Sequence, residues 1–470
     1  MAKNGLKQLV SATALAGSLA LLISCGAGLS RTADASSSSG STSSSGSTSG
    51  GGGGSTGNTS GTIQSVNHVI YMVQENRSFD HYFAKLNDYR TSQGLGADVD
   101  VLPPGKTNPS VPNYAPVGSF HLKTMCIENT SAAWVASHQN FNLFHIASDT
   151  PTMDGFAWSA AGEAAYEGES DTAGVRAMGS YDQNDLPYYY YMATQFGVSD
   201  RWFSPAPTET EPSKMYMVAA TSAGHAHKPN NSVNVPTIFS LLDAKGLSWK
   251  IYYENQPSDA ILNFFQPYAS QHTANIVPIS EYFTDVANGT LPSVAMIEPG
   301  FGSDDEHPGL GNQIQVGSAK TATIINALMN SPSWGDSVFF LMYDENGGMY
   351  DHVAPPTNVP NPDGIKPLDL FTEAADGYND PPGDFTRYGF RVPNLVISPF
   401  SKKNYVAHTV TDSTGVLKFI ETRFGLPNLN KRDAAASDMT EFFDFANKPW
   451  ATPPVPPTQP TNGACYDGLP

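Results

Sequence analysis

Four apolar runs in this chain end in clusters of polar residues that could do chemistry. Residues 69–73 lead into Glu75, Asn76, Arg77, Asp80 and His81. Residues 295–297 lead into Glu298, then Asp304, Asp305, Glu306 and His307. Residues 339–343 lead into Asp344, Glu345, Asn346, Gly347, Gly348, Asp351 and His352, and residues 395–397 into Ser398, with His408 shortly after. Glu75, Asn76, Asp344 and Glu345 offer oxygen ligands, a set suited to a hard divalent cation such as Ca²⁺, Mg²⁺ or Mn²⁺. An added histidine would suit Zn²⁺ or Fe. Adjacent carboxylates after a fully apolar strand repel one another where the dielectric is low, so Asp344-Glu345 calls for a cation. Arg77 or another arginine is the alternative partner for Glu75.

These clusters need elements that bring them together. Short β-rich runs lie at 66–73, 248–253, 293–297, 337–343 and 392–397, and apolar spacing near 3.6 predicts helices at 186–195, 237–245, 319–330 and 413–424. Strands alternating with helices predict an α/β fold around a largely parallel sheet. In such sheets the carboxyl ends of the strands share one edge, where ligands bind. The four clusters are therefore expected in one crevice of a single large catalytic domain with long loop insertions.

Glu75-Asn76-Arg77-Ser78-Phe79-Asp80-His81-Tyr82-Phe83 resembles the first signature of the bacterial phosphoesterase family that contains non-haemolytic phospholipases C and secreted acid phosphatases. The stretch from Asp344 through Gly347-Gly348-Met349-Tyr350-Asp351-His352 to Pro356 is similar to the second signature, and Glu306-His307-Pro308 to a third. Further likenesses at 153–156, 200–203, 391–393 and 419–426 keep the same order over roughly 63–430.

The resemblance implies an alkaline-phosphatase-like core with helices on both faces of its sheet. It also implies one divalent metal held by Glu75, Asn76, Asp344 and Glu345 beside a hydroxyl nucleophile. The family's nucleophile lies in a stretch like Pro-Thr-x-Pro-Asn-Arg, which here reads Pro207-Thr208-Glu209-Thr210-Glu211-Pro212-Ser213-Lys214. Thr210 fits by its spacing to Pro212. Thr208 fits by following a proline. Ser213 and Lys214 stand where Asn and Arg are usual. A bound metal would lower the pKa of the Thr210 hydroxyl and aim it at phosphorus. His307 and His352 are the candidates for stabilising the transition state and protonating the leaving alkoxide. Trp134 and His138 fit a Trp-x-x-x-His element, but the histidine that many relatives carry two residues before that tryptophan is Ala132 here, which makes His138 a candidate substitute.

The implied activity is a phospholipase C-like hydrolysis of phospholipid phosphodiesters through a phospho-threonine. A broad acid phosphatase acting on phosphomonoesters is the alternative within the enzyme class. A non-catalytic, tethered surface-binding protein with a structural metal is the alternative outside it. Tyrosines at 188–191 and 252–253 are candidates for a cation–π cage around choline. No GxxxxGK[ST] or HExxH motif is present, and GxSxG occurs only at 53–57 within the Ser/Gly-rich tether, away from any strand-to-helix turn, which argues against a P-loop enzyme, a zincin and an α/β-hydrolase.

Charge and the N-terminal segment bear on partners and on export. The 470 residues carry a net charge of −19, and because residues 1–62 hold Lys3, Lys7 and Arg31 against Asp34 alone, the remainder bears −21. Such a body does not attract nucleic acid or anionic lipid through its overall field. Lys3 and Lys7 precede an apolar stretch at 9–23 that is short for a membrane span and reads as a secretory signal. Its end, Leu22-Ile23-Ser24-Cys25, resembles a bacterial lipobox, with Cys25 as the lipid anchor to the cell envelope, on the periplasmic or the surface side. Residues 36–61 are Ser, Gly or Thr except Asn58, the composition of a flexible tether. The expected organisation is a signal at 1–24, a tether at 25–62, a catalytic domain at 63–435 and a Pro-rich tail at 436–470 packed on it. In an oxidising compartment Cys126 and Cys465 are available to pair.

Overall fold

The computed structural model describes residues 61–470 apart from 113, 303–304, 310, 372–378, 466–468 and 470. The leader, Cys25, nearly all of the tether and Asp304 lie outside the described residues.

Eight strands form one sheet: β1 (His68–Gln74), β2 (Gly197–Ser199), β3 (Trp249–Tyr253), β4 (Ile276–Pro278), β5 (Val294–Glu298), β6 (Ser337–Tyr343), β7 (Asn394–Ile397) and β8 (Tyr405–Ala407). Their order is β8-β2-β7-β6-β1-β5-β3-β4. Every pairing is parallel except the two made by β7, which runs against both β6 and β2. β1, β5 and β6 are buried along almost their whole length, which is why they read as unbroken apolar runs rather than alternating ones.

Helices cover both faces. The ring of Phe340 in β6 packs on Phe419 of the helix Thr414–Phe424. Tyr343, three residues on and therefore on the other face, shares a hydrogen-bonded cluster with Tyr189 of the helix Pro187–Gln195. Gln74 of β1 reaches that same side, donating to Thr321 Oγ1 of the helix Ile314–Met329 at 2.8 Å. The structure is thus a mixed α/β fold around a mostly parallel sheet.

Two expectations are corrected here. Because β7 is antiparallel, its carboxyl end lies at the opposite edge, where Ser398 Oγ donates to the Ser337 carbonyl at the start of β6 (2.8 Å). Three clusters, not four, can share the crevice. His408 follows β8 instead and bonds Asp200 at 2.9 Å. The tyrosines at 188–190 and Tyr252 are buried in the main core, so they build no cage for a ligand.

The C-terminal segment lies on the body. Trp334 Nε1 donates to the Trp450 carbonyl (2.9 Å), Gln459 Nε2 to the Asp185 carbonyl (2.9 Å) and Met125 N to the Ala464 carbonyl (2.8 Å). Cys126 and Cys465 are joined in a disulfide that closes 339 residues of sequence, with their Cα atoms 5.0 Å apart.

Candidate active site

β1 and β6 are parallel neighbours in register, Gln74 opposite Tyr343, so Glu75 and Asp344 leave the sheet side by side. The turn after β1 is tight. Asn76 takes φ +57°, a left-handed conformation that asparagine tolerates. Gly347 (φ +60°) packs so close that a Cβ there would meet Asn76 Cβ and its carbonyl oxygen at 2.6 Å, so the second glycine-rich signature is required by this contact.

Backbone and side chains then knit the two strand ends together. Asn76 N donates to Asp344 Oδ1 (3.0 Å), and Glu345 N donates to the same oxygen (2.8 Å). The Asn76 amide is satisfied at both ends when its nitrogen donates to Glu345 Oε1 (2.7 Å) and Asp344 Oδ1 (3.3 Å) and its oxygen accepts from His307 Nε2 (2.9 Å). In that orientation His307 faces acceptors on both ring nitrogens, since Nδ1 lies 2.5 Å from the Pro308 carbonyl. Thr210 opens the helix Thr210–Ala219, and its Oγ1 donates to Glu345 Oε1 at 3.3 Å. Glu75, Asn76, Thr210, Lys214, His307 and Glu345 line one cleft of ≈ 810 Å³.

Lys214, one turn after Thr210, forms a buried ion pair with Glu75. Arg77 turns away instead, donating through Nε to the Glu306 carbonyl (2.8 Å) and facing His81. Glu306 has φ +64° and is fully buried, and its carboxylate accepts three tyrosine hydroxyls, Tyr82 and Tyr343 at 2.7 Å and Tyr189 at 2.5 Å. That anchor fixes the residue immediately before His307.

The charges here are under strain. Burial, then the neighbouring Glu75, pushes the Asp344 carboxyl well above its usual range, and burial with Asp344 and Glu75 does the same to Glu345. Glu75 is equally buried, yet Lys214 and His307 hold it below the usual value. Burial raises Glu298, at the end of β5, to about 7. Three buried carboxylate oxygens, Glu75 Oε2, Asp344 Oδ2 and Glu345 Oε2, have no hydrogen-bond partner. Unpaired buried anions of this kind are costly unless a cation meets them. The donor set fits a hard divalent ion.

Other expected residues lie elsewhere. Thr208 is buried, its Oγ1 3.1 Å from Ser213 Oγ, and does not line the cleft. His138 is also buried outside the cleft lining, with Nδ1 2.7 Å from the Trp134 carbonyl, and burial with the nearby Arg387 lowers its pKa to about 3. Ala132 itself lines the cleft. His352 bridges Asp80 (2.7 Å) and Asp100 (3.0 Å), outside the lining. Asp80, Asp351 and His352 lie close enough together to hold an ion, as do His121, Asp182 and Asp185 at the surface. In the first group Arg391 already neutralises the carboxylates, bonding Asp351 at 3.1 Å and Asp80 at 2.8 Å. Lys214 and Glu298 were not singled out as site residues by the sequence. The signals were the four-residue spacing from Thr210 and the position of Glu298 at a strand end.

Residues 66–427 match the Phosphoesterase family, and the chain belongs to it. Phospholipase C B of Mycobacterium tuberculosis is 29% identical over 439 residues, 84% of this chain and 80% of that protein. Non-specific phospholipase C1 of Arabidopsis thaliana is 30% identical over 411 residues, 81% of this chain and 71% of that protein. Non-hemolytic phospholipase C of Pseudomonas aeruginosa is 29% identical over 437 residues, 82% and 58% respectively. Among solved structures, a protein in the alkaline phosphatase superfamily from Vibrio parahaemolyticus matches with TM-score 0.35 and 12% identity, covering 76% of this chain and 78% of that one. The chain is a hydrolase acting on phosphoric esters.

Proposed function

We propose that this hydrolase is a phospholipase C-type enzyme that cleaves phospholipid phosphodiesters through a phospho-threonine on Thr210. The observation that carries the reading is Thr210 Oγ1 in the cleft, 3.3 Å from Glu345, beside three partnerless carboxylate oxygens. Glu75, Asp344 and Glu345 would hold one divalent ion, and the Asn76 amide, whose oxygen meets His307 in this structure, would join them on rotating that oxygen toward the acids. When bound, such an ion supplies positive charge that polarises the phosphoryl group and acidifies a nearby hydroxyl.

This chain's own residues carry the remaining chemistry. Thr210 Oγ1 forms a bond to phosphorus while the phosphorus–alkoxide bond breaks, and its proton passes to Glu345 Oε1. His307, with acceptors on both nitrogens, is set to donate and gives its Nε2 proton to the departing diacylglycerol oxygen. Water then attacks phosphorus, His307 takes the proton, and Thr210 leaves with its own restored. The helix that begins at Thr210 places its positive end toward the phosphoryl charge. The test compares turnover of phosphatidylcholine vesicles with that of a small aryl phosphate. Hydrolysis of the aryl phosphate alone would replace the phospholipase reading with the acid phosphatase one.

The apolar stretch at 9–23 and Cys25 would export the chain and anchor it by lipid to the cell envelope. No described helix is long and apolar enough to cross a membrane. The Cys126–Cys465 disulfide suits the oxidising compartment that export implies.

A further inference from the structure

We propose that Lys214 is the second cation of this site, a fixed ammonium that binds a phosphoryl oxygen and does the work that a second metal ion does in two-metal hydrolases. The proposal rests on the reading that the phosphoryl group sits between Thr210 and His307. Glu75, Glu298, Asp344 and Glu345 are buried carboxylates gathered at three neighbouring strand ends, and Lys214 is the buried ammonium among them. Its ammonium is ion-paired with Glu75 and turned to the strand ends that carry the other acids.

Geometry gives the cation two neighbours. Lys214 follows Thr210 by four residues, so both side chains stand on one face of the helix and line the same cleft. Glu75 meets the ammonium with Oε1 and keeps Oε2 free of hydrogen bonds, which makes it a bridge between Lys214 and the position of a divalent ion. Two-metal sites clamp a phosphoryl group between cations about 3.5–4 Å apart, and a lysine ammonium is a compact point charge that phosphate-binding sites use in the same way.

The cleft needs such a charge. Its wall includes Glu163, Glu209, Glu211 and Asp259 besides the strand-end acids, a lining that repels a phosphodiester anion. Lys228 also lines it, but that side chain is two-thirds exposed and paired with Glu211 at 2.5 Å. With Lys214 in place, one divalent ion suffices where two would otherwise be required.

The test is calorimetric titration of the metal-loaded full chain with orthovanadate, with metal counted per chain by mass spectrometry. One metal per chain is expected in the wild type, in Lys214→Met and in Lys214→Arg. Vanadate affinity should fall at least about tenfold in Lys214→Met and stay within about threefold in Lys214→Arg. Unchanged vanadate affinity in Lys214→Met would overturn the proposal. So would loss of the metal from that variant, which would make Lys214 a support for Glu75 only. A crystal of the wild type with vanadate gives a second reading that no variant can spoil: Nζ within hydrogen-bond distance of a vanadate oxygen supports the proposal, and Nζ held by Glu75 alone overturns it. A wild type that binds neither metal nor vanadate would overturn the functional reading together with this one.

Discussion

Thr210 and Glu345 meet at 3.3 Å although 135 positions separate them. One opens a helix and the other follows a central strand. Their meeting makes Thr210→Ala the most informative substitution in the chain. Turnover of phosphate esters should fall by about 10³-fold or more, the loss expected on removing a nucleophile. Thr208→Ala should instead cost about 1 kcal/mol of stability, through the lost hydrogen bond to Ser213, with turnover kept. Steady-state kinetics and thermal unfolding of the two variants check this. Full activity in Thr210→Ala would remove Thr210 as the nucleophile.

The three histidines singled out by the sequence should separate in the same assay. His307→Ala is expected to lower kcat by about 10²–10⁴-fold, the range of a positioned acid or base. His352→Asn breaks a bridge between Asp80 and Asp100, and His138→Ala removes a buried ring packed at a tilt against Trp134. Both should lower the melting temperature and change kcat by less than about tenfold. A loss in His352→Asn as large as in His307→Ala would bring that residue back into the chemistry.

Strands β1, β5 and β6 are legible in the sequence because burial on both faces writes them as apolar runs, and the acids that follow them stand out by contrast. The reversal of β7 is not legible, since Asn394–Ile397 has the same apolar character in either direction and only its hydrogen-bonded neighbours decide. The tyrosines at 188–190 mislead for a related reason. A phenol has an apolar body and one polar atom, so it suits a core with a hydrogen-bond acceptor as well as it suits a ligand cage. Lys214 stands out in the sequence only as a departure from Arg; its meaning comes from Glu75, 139 residues away.

Raised carboxyl pKa values set a pH dependence with a definite sign. Glu298 titrates near 7 in the folded chain against 4.5 ordinarily, and Asp344 and Glu345 move in the same direction. Folded protein therefore holds protons that unfolded protein has already released. The resulting stability is complete below the unfolded value and is lost as pH rises through the folded one. After chelation, the melting temperature should fall from about pH 5 to about pH 8. Added divalent ion should restore most of it at the upper end and little at the lower. Glu298→Gln should flatten the slope between pH 4.5 and 7. Calorimetry with and without metal measures all of this, and a melting temperature that rises with pH in the metal-free chain would contradict it.

The Cys126–Cys465 bridge closes a loop so long that the chain-entropy model assigns it about 6 kcal/mol at 25 °C. Reduction, or Cys465→Ser, should lower the denaturant midpoint markedly while leaving the folded cleft intact. Equilibrium unfolding in urea with and without reductant is the measurement. An unchanged midpoint would mean that the unfolded chain keeps residues 126 and 465 together without the bond.

The three phenols that converge on Glu306 give the molecule a built-in optical gauge. A phenol's absorption responds to the acceptor that its hydroxyl meets, and here three rings donate to a single carboxylate one residue from His307. Any movement of that histidine's loop, whether from ligand entry or from substitution, must change how Tyr82, Tyr189 and Tyr343 share Glu306. Ultraviolet difference spectra of the unlabelled protein, compared with those of a Tyr189→Phe variant to pick these rings out of 21 tyrosines, would therefore follow the loop in the same cuvette as turnover.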